Sequence, residues 1–432
     1  VNTNVDKNDD SFANAIRSLK LKSIRYGWQC GVLDMQDLTS QVHSPHDKGF
    51  SGFLSNGKGR IWENFGPSGI AELMNKTQTT GFGILGTDGI NYIGESDAVI
   101  AKMTPGERMD FYAGKAAEWA TWAKAYRFEH FEIGNENDLS GGTHTKEAIA
   151  PWSPADYARV ARRFLTDVKR ANPSAKCGIN GGLRGAEFTE RWFREIAEAE
   201  PSLGRELDFV VAHKYEMWLD CKTWSMHPDW DLGRVGADFR KSHSQHFSKL
   251  PIHVTELGSW KTGENDMHYR ALLATEMLGN VRLDSAVQHV QFWPTRWHDE
   301  GGVFTGPDNE LTPMGLGLAA YTRFAQPTMF ANGFNGDVRY FAAKGTSGAT
   351  FWFVNHAESE TRLNCRVSGL PSFPQSEVWS LESSSESAIA GDTTLRNVGE
   401  ASPTVAENRD LAFSIRVAPL SVTIVAFRNK TK

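Results

Sequence analysis

The chain has 432 residues, a formal net charge of −6, 40% hydrophobic and 23% charged residues. That is room for a large barrel plus a second domain. It offers no basic footprint for nucleic acid, and no apolar run approaches the ~18–20 residues of a membrane span. The 14 Trp and 25 Phe supply flat faces of the kind that carry sugar rings and equally of the kind that fill a core.

Residues 8–19 read as a helix and Lys22–Tyr26 as a short strand. The polar stretch 31–66 is far longer than an ordinary connection. A helix over 67–76 precedes the strand Gly81–Thr87. Thr104-Pro105 with Glu107 marks the start of a helix running to Tyr126, which leads into the strand Phe128–Gly134. Ser153-Pro154 opens a helix through Arg170, ahead of the strand Lys176–Asn180. A helix over 187–199 leads to Leu207–Tyr215. A segment 216–235 carrying Trp218, Trp224 and Trp230, then a helix over 236–248, lead to the strand around Val254. A helix over 265–283, the strand Ala286–Trp293 and a helix over 313–326 complete the series.

This alternation predicts an α/β fold with a parallel sheet. We expect a (β/α)8 TIM barrel over residues 1–325, although only seven strands can be counted and VNTNVDKNDD is too polar to read as another. From about Gln326 the period changes to two. Val338–Ala342, Ala349–Val354, Thr361–Val367 and Leu420–Ala426 lie between Gly/Ser/Asn-rich turns. They predict an antiparallel β-sandwich over 326–432, packed on or tethered to the barrel.

Cys30, Cys177, Cys221 and Cys365 are far apart and form no CxxC pair, so no zinc site is indicated. They read as buried thiols or as one or two disulfides. No HxH or HExxH pair stands on a strand or helix, and no metal or other cofactor is expected. The chain begins at Val1, which fits a secreted or periplasmic product whose leader has been removed.

Two stretches carry the chemistry. His130–Asp138 (HFEIGNEND) and Leu250–Trp260 (LPIHVTELGSW) are apolar β-type runs that end in Glu136 and Glu256. Glutamates at the C-terminal ends of two parallel strands are what a barrel offers to glycoside hydrolysis, one as acid/base and one as nucleophile. With Lys22–Tyr26 counted as the second strand, Glu136 ends the fourth and Glu256 the seventh. The chain here resembles the clan A retaining glycoside hydrolases over roughly residues 10–325. In that clan the acid/base follows an Asn on strand four, here Asn135, and the nucleophile ends strand seven. Arg25 matches the clan's arginine at strand two, His213 and Tyr215 its His and Tyr at strand six, and Trp293 its aromatic at strand eight.

The resemblance implies a carbohydrate substrate, with Arg25 and Tyr215 keeping Glu256 ionised and Asn135 binding a sugar hydroxyl. Trp293 would form the floor of the first subsite, and Trp260 would face the barrel mouth. Asp88 and Asn180 stand at further strand ends, Asp138 follows the motif, and Glu132 reads as a member of a structural pair. Lys214, Lys261, Arg296 and His298 would give the mouth positive character, hinting at an anionic glycan.

Within the clan, the GNE motif, the C-terminal sandwich and the Leu311-Thr312-Pro313 helix entry look like α-L-arabinofuranosidases and β-xylosidases. The β-agarase/porphyranase and β-glucuronidase/heparanase groups share much of this. Two other classes are a catalytically silent carbohydrate-binding protein, against which the presence of both glutamates argues, and a metal-dependent hydrolase.

Overall fold

The computed structural model describes residues 10–27, 67–91, 102–138, 150–181, 186–216, 247–259, 267–292, 302–305, 309–370, 373, 375–384, 392–401, 404–405 and 410–429. Seven strands pair in parallel in chain order. They are β1 (Ser23–Gly27), β2 (Thr80–Leu85), β3 (Phe128–Ile133), β4 (Lys176–Asn180), β5 (Phe209–Glu216), β6 (Ile252–Ser259) and β7 (Val287–Phe292). Strand β7 also meets β1: Ser23 Oγ lies 2.8 Å from His289 Nε2 and accepts from Gln291 Nε2 at 3.2 Å. The sheet thus curls almost to closure, as a TIM barrel with its helices outside. Residues 1–9, ahead of the first helix, and most of the expected helix 236–248 lie outside the described residues.

Three of the barrel's helices start on the same device. Thr104, Ser153 and Thr312 each precede a proline, and each hydroxyl accepts the amide three residues on, from Glu107, Asp156 and Gly315. At the first, Glu107 returns the favour by accepting the Thr104 amide at 2.7 Å. A proline loses nothing at a position whose N–H has no partner within the helix, and each cap is worth about 1 kcal/mol. No helix among the described residues is long and apolar enough to cross a membrane.

Barrel interiors are usually filled by Val, Ile and Leu. Here one interior layer is made of rings: Phe82 on β2, His130 on β3, Phe209 on β5, His253 on β6 and His289 on β7. His253 stacks on Phe209 with centroids 4.2 Å apart, Phe82 lies parallel to His130 at 5.6 Å, and His253 and His289 are 5.4 Å apart. Burial pushes all three imidazoles down, His253 to about 2 and His289 to about 4; neighbouring imidazoles add to the effect at His253 and His289, and the charge of Lys176 at His130. All three are therefore neutral at pH 7.

Beyond the small hairpin of β8 (Phe304–Thr305) and β9 (Glu310–Leu311), the chain forms two antiparallel sheets. The larger has the order β10-β11-β12-β18-β14-β15. Its strands are β10 (Thr328–Asn335), β11 (Val338–Lys344), β12 (Gly348–Asn355), β14 (Gln375–Ser383), β15 (Thr393–Gly399) and β18 (Ser421–Arg428). The smaller pairs β13 (Thr361–Val367) and β16 (Thr404–Val405) with β17 (Leu411–Val417) between them. All four strands expected from the period-two pattern are present.

Strand β12 is buried along its whole length because both of its faces are covered. Phe351 and Phe353 join Leu363, Phe413 and Phe427 in the core between the two sheets. The alternate residues Trp352 and Val354, with Phe341, Leu381, Val422 and Ile424, join the core that runs into the barrel. A buried polar cluster crosses the same boundary. Glu276, on the helix Met267–Val281, takes Arg339 Nη1 at 3.2 Å and His356 Nε2 at 2.8 Å, and Arg339 also donates to Asn280.

Candidate active site

Strand alternation sends Arg25, Glu132, His213 and Thr255 into the barrel, one layer above the rings. Alternation alone would turn Glu256, the neighbour of Thr255, outward towards the helices with Val254. A break in register between Val254 and Leu257 against β7, and another against β5, where Ala212 pairs with Val254 but His213 with Glu256, prevent this. Such bulges re-aim side chains at barrel rims. Thr255 and Glu256 both turn inward, and β6 continues to Ser259, three residues past the glutamate that was expected to end it. Arg25 likewise lies in the middle of β1 rather than at its end.

Glu136 reaches the site differently. Strand β3 ends at Ile133, and the next residues turn sharply, with Gly134 at φ +77° and Glu136 itself at φ +53°. A Cβ on Gly134 would lie 1.9 Å from Asn137 Oδ1 and 2.7 Å from Thr87 Oγ1, so only glycine fits. A non-glycine residue held at positive φ costs of order 1 kcal/mol or more and persists where its surroundings over-determine it. Those surroundings are hydrogen bonds. Asn180 Oδ1 accepts the Asn137 amide at 3.0 Å, and its Nδ2 donates to Asn137 Oδ1, to Ile133 O and to the Tyr157 hydroxyl. Asn137 in turn donates to Thr87 Oγ1 at 2.8 Å and to Asp88 at 3.4 Å. Burial pushes the Asp88 carboxyl up to about 7, with the Trp152 N–H pulling it back and the charge of Glu136 adding to the rise. The strand-end residues Asp88 and Asn180 thus brace the motif.

Arg25 is the hub. Its Nη1 donates to Glu256 Oε1 at 2.5 Å, its Nε and Nη2 to Glu132 Oε2 at 3.0 and 2.8 Å, and its Nη2 to Asn135 Oδ1 at 2.5 Å. Burial works against the guanidinium's charge, but the two glutamates outweigh it and raise its pKa. His213 lies against both chemistry-bearing carboxylates, its Nδ1 2.9 Å from Glu136 Oε1 and 3.5 Å from Glu256 Oε2. Its Nε2 is 3.0 Å from Thr255 Oγ1, whose hydroxyl donates to Glu132 Oε2 at 3.3 Å. With that hydroxyl proton committed to Glu132, the Thr255 oxygen accepts, so His213 Nε2 carries a proton. Burial alone would lower the imidazole pKa. The charge of Glu256 and the hydrogen bonds and charges of Glu132 and Glu136 instead raise it to about 10.

One oxygen of Glu136, one oxygen of Glu256 and one nitrogen of His213 lie within 4.8 Å of one another. Three such donors are also a set on which a divalent cation could sit. Here Arg25 already supplies positive charge to Glu256, and both His213 nitrogens face hydrogen-bonding partners.

Of the residues expected at the site, Glu136, Glu256, Arg25, Asn135 and His213 are brought together. Tyr215 lies on β5, but its side chain falls outside the described residues, as do Trp260, Trp293, Lys261, Arg296 and His298. Glu132, read as one of a structural pair, does pair with Arg25 and is fully buried at the centre of the cluster. Thr255 and Asn137 were not singled out from sequence. Their only signal was adjacency to the two glutamates.

No protein-family model matches the sequence, and no curated protein matches it. Solved structures do. The α-L-arabinofuranosidase from Thermotoga maritima superposes with a TM-score of 0.66 at 13% identity, over 96% of this chain and 89% of that one. The family 51 arabinofuranosidase from Xanthomonas axonopodis pv. citri gives 0.67 at 15% identity, over 96% and 89%. A family 44 xyloglucanase from Paenibacillus polymyxa gives 0.62 at 13% identity, over 96% and 94%. The chain shares its fold, a parallel barrel joined to antiparallel sheets, with these structures. Within that fold, the arginine of β1, the Asn-Glu after β3, the histidine of β5 and the glutamate of β6 converge at one end of the barrel.

Proposed function

We propose that the chain is a retaining glycoside hydrolase with Glu256 as nucleophile and Glu136 as acid/base. The observation that carries this reading is the approach of one oxygen of each carboxylate to within 4.8 Å of the other. Retaining enzymes hold the two groups ~5–5.5 Å apart, whereas inverting ones need ~6.5–9.5 Å to admit a water between them. Glu256 attacks the anomeric carbon, and the bond to the leaving oxygen breaks with its electron pair remaining on that oxygen. The oxygen takes a proton from Glu136. Water then attacks the glycosyl ester and gives a proton to Glu136, and Glu256 leaves as a carboxylate.

The short Glu136–His213 contact makes the acid a coupled pair: its proton rests on Oε1 or on Nδ1 and is delivered through Glu136. Arg25 keeps Glu256 ionised and aimed. Asn135, its carbonyl fixed by Arg25, takes a sugar hydroxyl beside the cleaved bond. Trp293, Trp260 and Tyr215 complete the substrate contacts. We assign the barrel to 1–325, the sandwich to 326–432, and the protein to the secreted or periplasmic space.

The substrate we favour is a plant hemicellulose cleaved as by an arabinofuranosidase or xylosidase. The test is a hydrolysis screen on aryl glycosides and on plant and algal polysaccharides, wild type beside Glu256→Ala and Glu136→Ala. Release of arabinose or xylose, lost in Glu256→Ala, supports the reading. In Glu136→Ala, substrates with poor leaving groups should slow most, with azide partly restoring the activated ones. Oligosaccharides from an agar-type or uronic acid polymer would replace the substrate but keep the mechanism. Full activity in either variant would overturn it, and silence on every substrate would favour a carbohydrate-binding protein.

A further inference from the structure

The cluster holds three carboxylates, yet the proposed mechanism uses two. Glu132 is fully buried, and it takes two hydrogen bonds from Arg25 and one from Thr255. Arg25 therefore stands between two negative groups with opposite futures. During turnover Glu256 becomes a neutral ester and its pull on the guanidinium disappears. A buried cation that loses its only anion relocates or draws in water, because an uncompensated charge in a low-dielectric interior is strongly unfavourable.

We propose that Glu132 is a positioning residue that keeps Arg25, and through Thr255 also His213, in place while Glu256 alternates between carboxylate and ester. Two hydrogen bonds from Arg25 to Glu132 and one to Asn135 are independent of the state of Glu256. The guanidinium is thus already seated when the ester is hydrolysed and Glu256 must leave as an anion. The Thr255 hydroxyl extends the same grip to His213 Nε2, so the imidazole keeps its Nδ1 aimed at Glu136. This inference rests on the retaining-glycosidase reading and falls with it if no glycoside is hydrolysed.

The test is Glu132→Gln, which keeps shape and an acceptor oxygen but removes the charge. It is assayed on the best chromogenic aryl glycoside from the screen, with Glu256→Ala as control. We expect kcat to fall about 10–100-fold, the usual cost of losing an outer partner that orients a reactive group. We also expect the acid limb of the kcat/KM profile, which reports the free nucleophile, to move down by about one pH unit, because Arg25 is no longer shared. A merely structural role would lower activity and leave the limb in place; an unshifted limb in a folded variant overturns the proposal while the inactivity of Glu256→Ala still upholds the reading beneath it. Should Glu132→Gln not fold, Thr255→Val cuts only the link to His213. The imidazolium is then less supported, so the pair gives up its proton sooner and the base limb should move down. A base limb that stays put overturns the proposal equally.

Discussion

Acidifying the protein from neutrality to about pH 4.5 tests the ring layer inside the barrel, because that layer holds its histidines neutral. An unfolded histidine takes a proton near pH 6.5, whereas His253 in the fold waits until about 2 and His289 until about 4. For a base whose pKa is depressed by folding, the stability it allows is fully present above the unfolded value and is lost as the pH falls below it. Each such histidine costs about 1.4 kcal/mol per pH unit, since the unfolded chain binds a proton that the fold refuses. Over two units, these two together cost on the order of 5 kcal/mol, comparable with the whole stability of many proteins. The assay is urea unfolding followed by circular dichroism between about pH 7.5 and 4.5, for wild type and His253→Phe. Phenylalanine suits the site: His253 is stacked on Phe209, and its Nδ1 has no hydrogen-bond partner among the described residues. The variant should lose stability more slowly with acid, by about 1.4 kcal/mol less per pH unit. Parallel slopes in the two proteins would refute the reasoning.

Gly134→Ala should lower stability by about 1–3 kcal/mol, through a side chain forced to positive φ and against Asn137. It should reduce kcat as well by displacing Glu136; a Tm and a rate equal to wild type would show that the turn is not needed in this form. Arg339→Met leaves Glu276 buried with one cationic partner fewer and should cost about 3–5 kcal/mol in urea unfolding. That loss should appear in a single transition, because barrel and sandwich share a core; two separate transitions in wild type would contradict the shared core.

Local signals made most of the architecture legible from sequence. Hydroxyl-proline pairs announced three helices, and apolar runs ending in Gly, Asn or Glu announced the strands. The inward turn of Glu256 was not legible. A period of two places Thr255 and Glu256 on opposite faces, and the bulge that overrides it arises from how β5, β6 and β7 fit together. The ring layer escaped notice for a similar reason. The alternation in β3, β6 and β7 reads as polar-facing-water, and only closure of the sheet turns those histidines to face one another. Strand β12 was legible as a strand, but not its burial on both faces, which depends on the barrel helices behind the sheet. Glu132 showed itself as half of an ion pair, but which cation it held depended on two strands distant in sequence.

The six-stranded sheet has a consequence for anyone shortening the gene. One face of that sheet closes the sandwich, while the other lies against the helices Met267–Val281 and Pro313–Thr322 and shares their apolar core. A truncation after the last barrel helix would leave Glu276 and Asn280 facing solvent beside a bared greasy wall. The complementary fragment would carry Trp352, Phe341 and Ile424 on an uncovered surface, an invitation to aggregate. What resembles a detachable module is, in manufacturing terms, the back panel of the barrel, and the helix it supports is the one that follows the strand bearing Glu256.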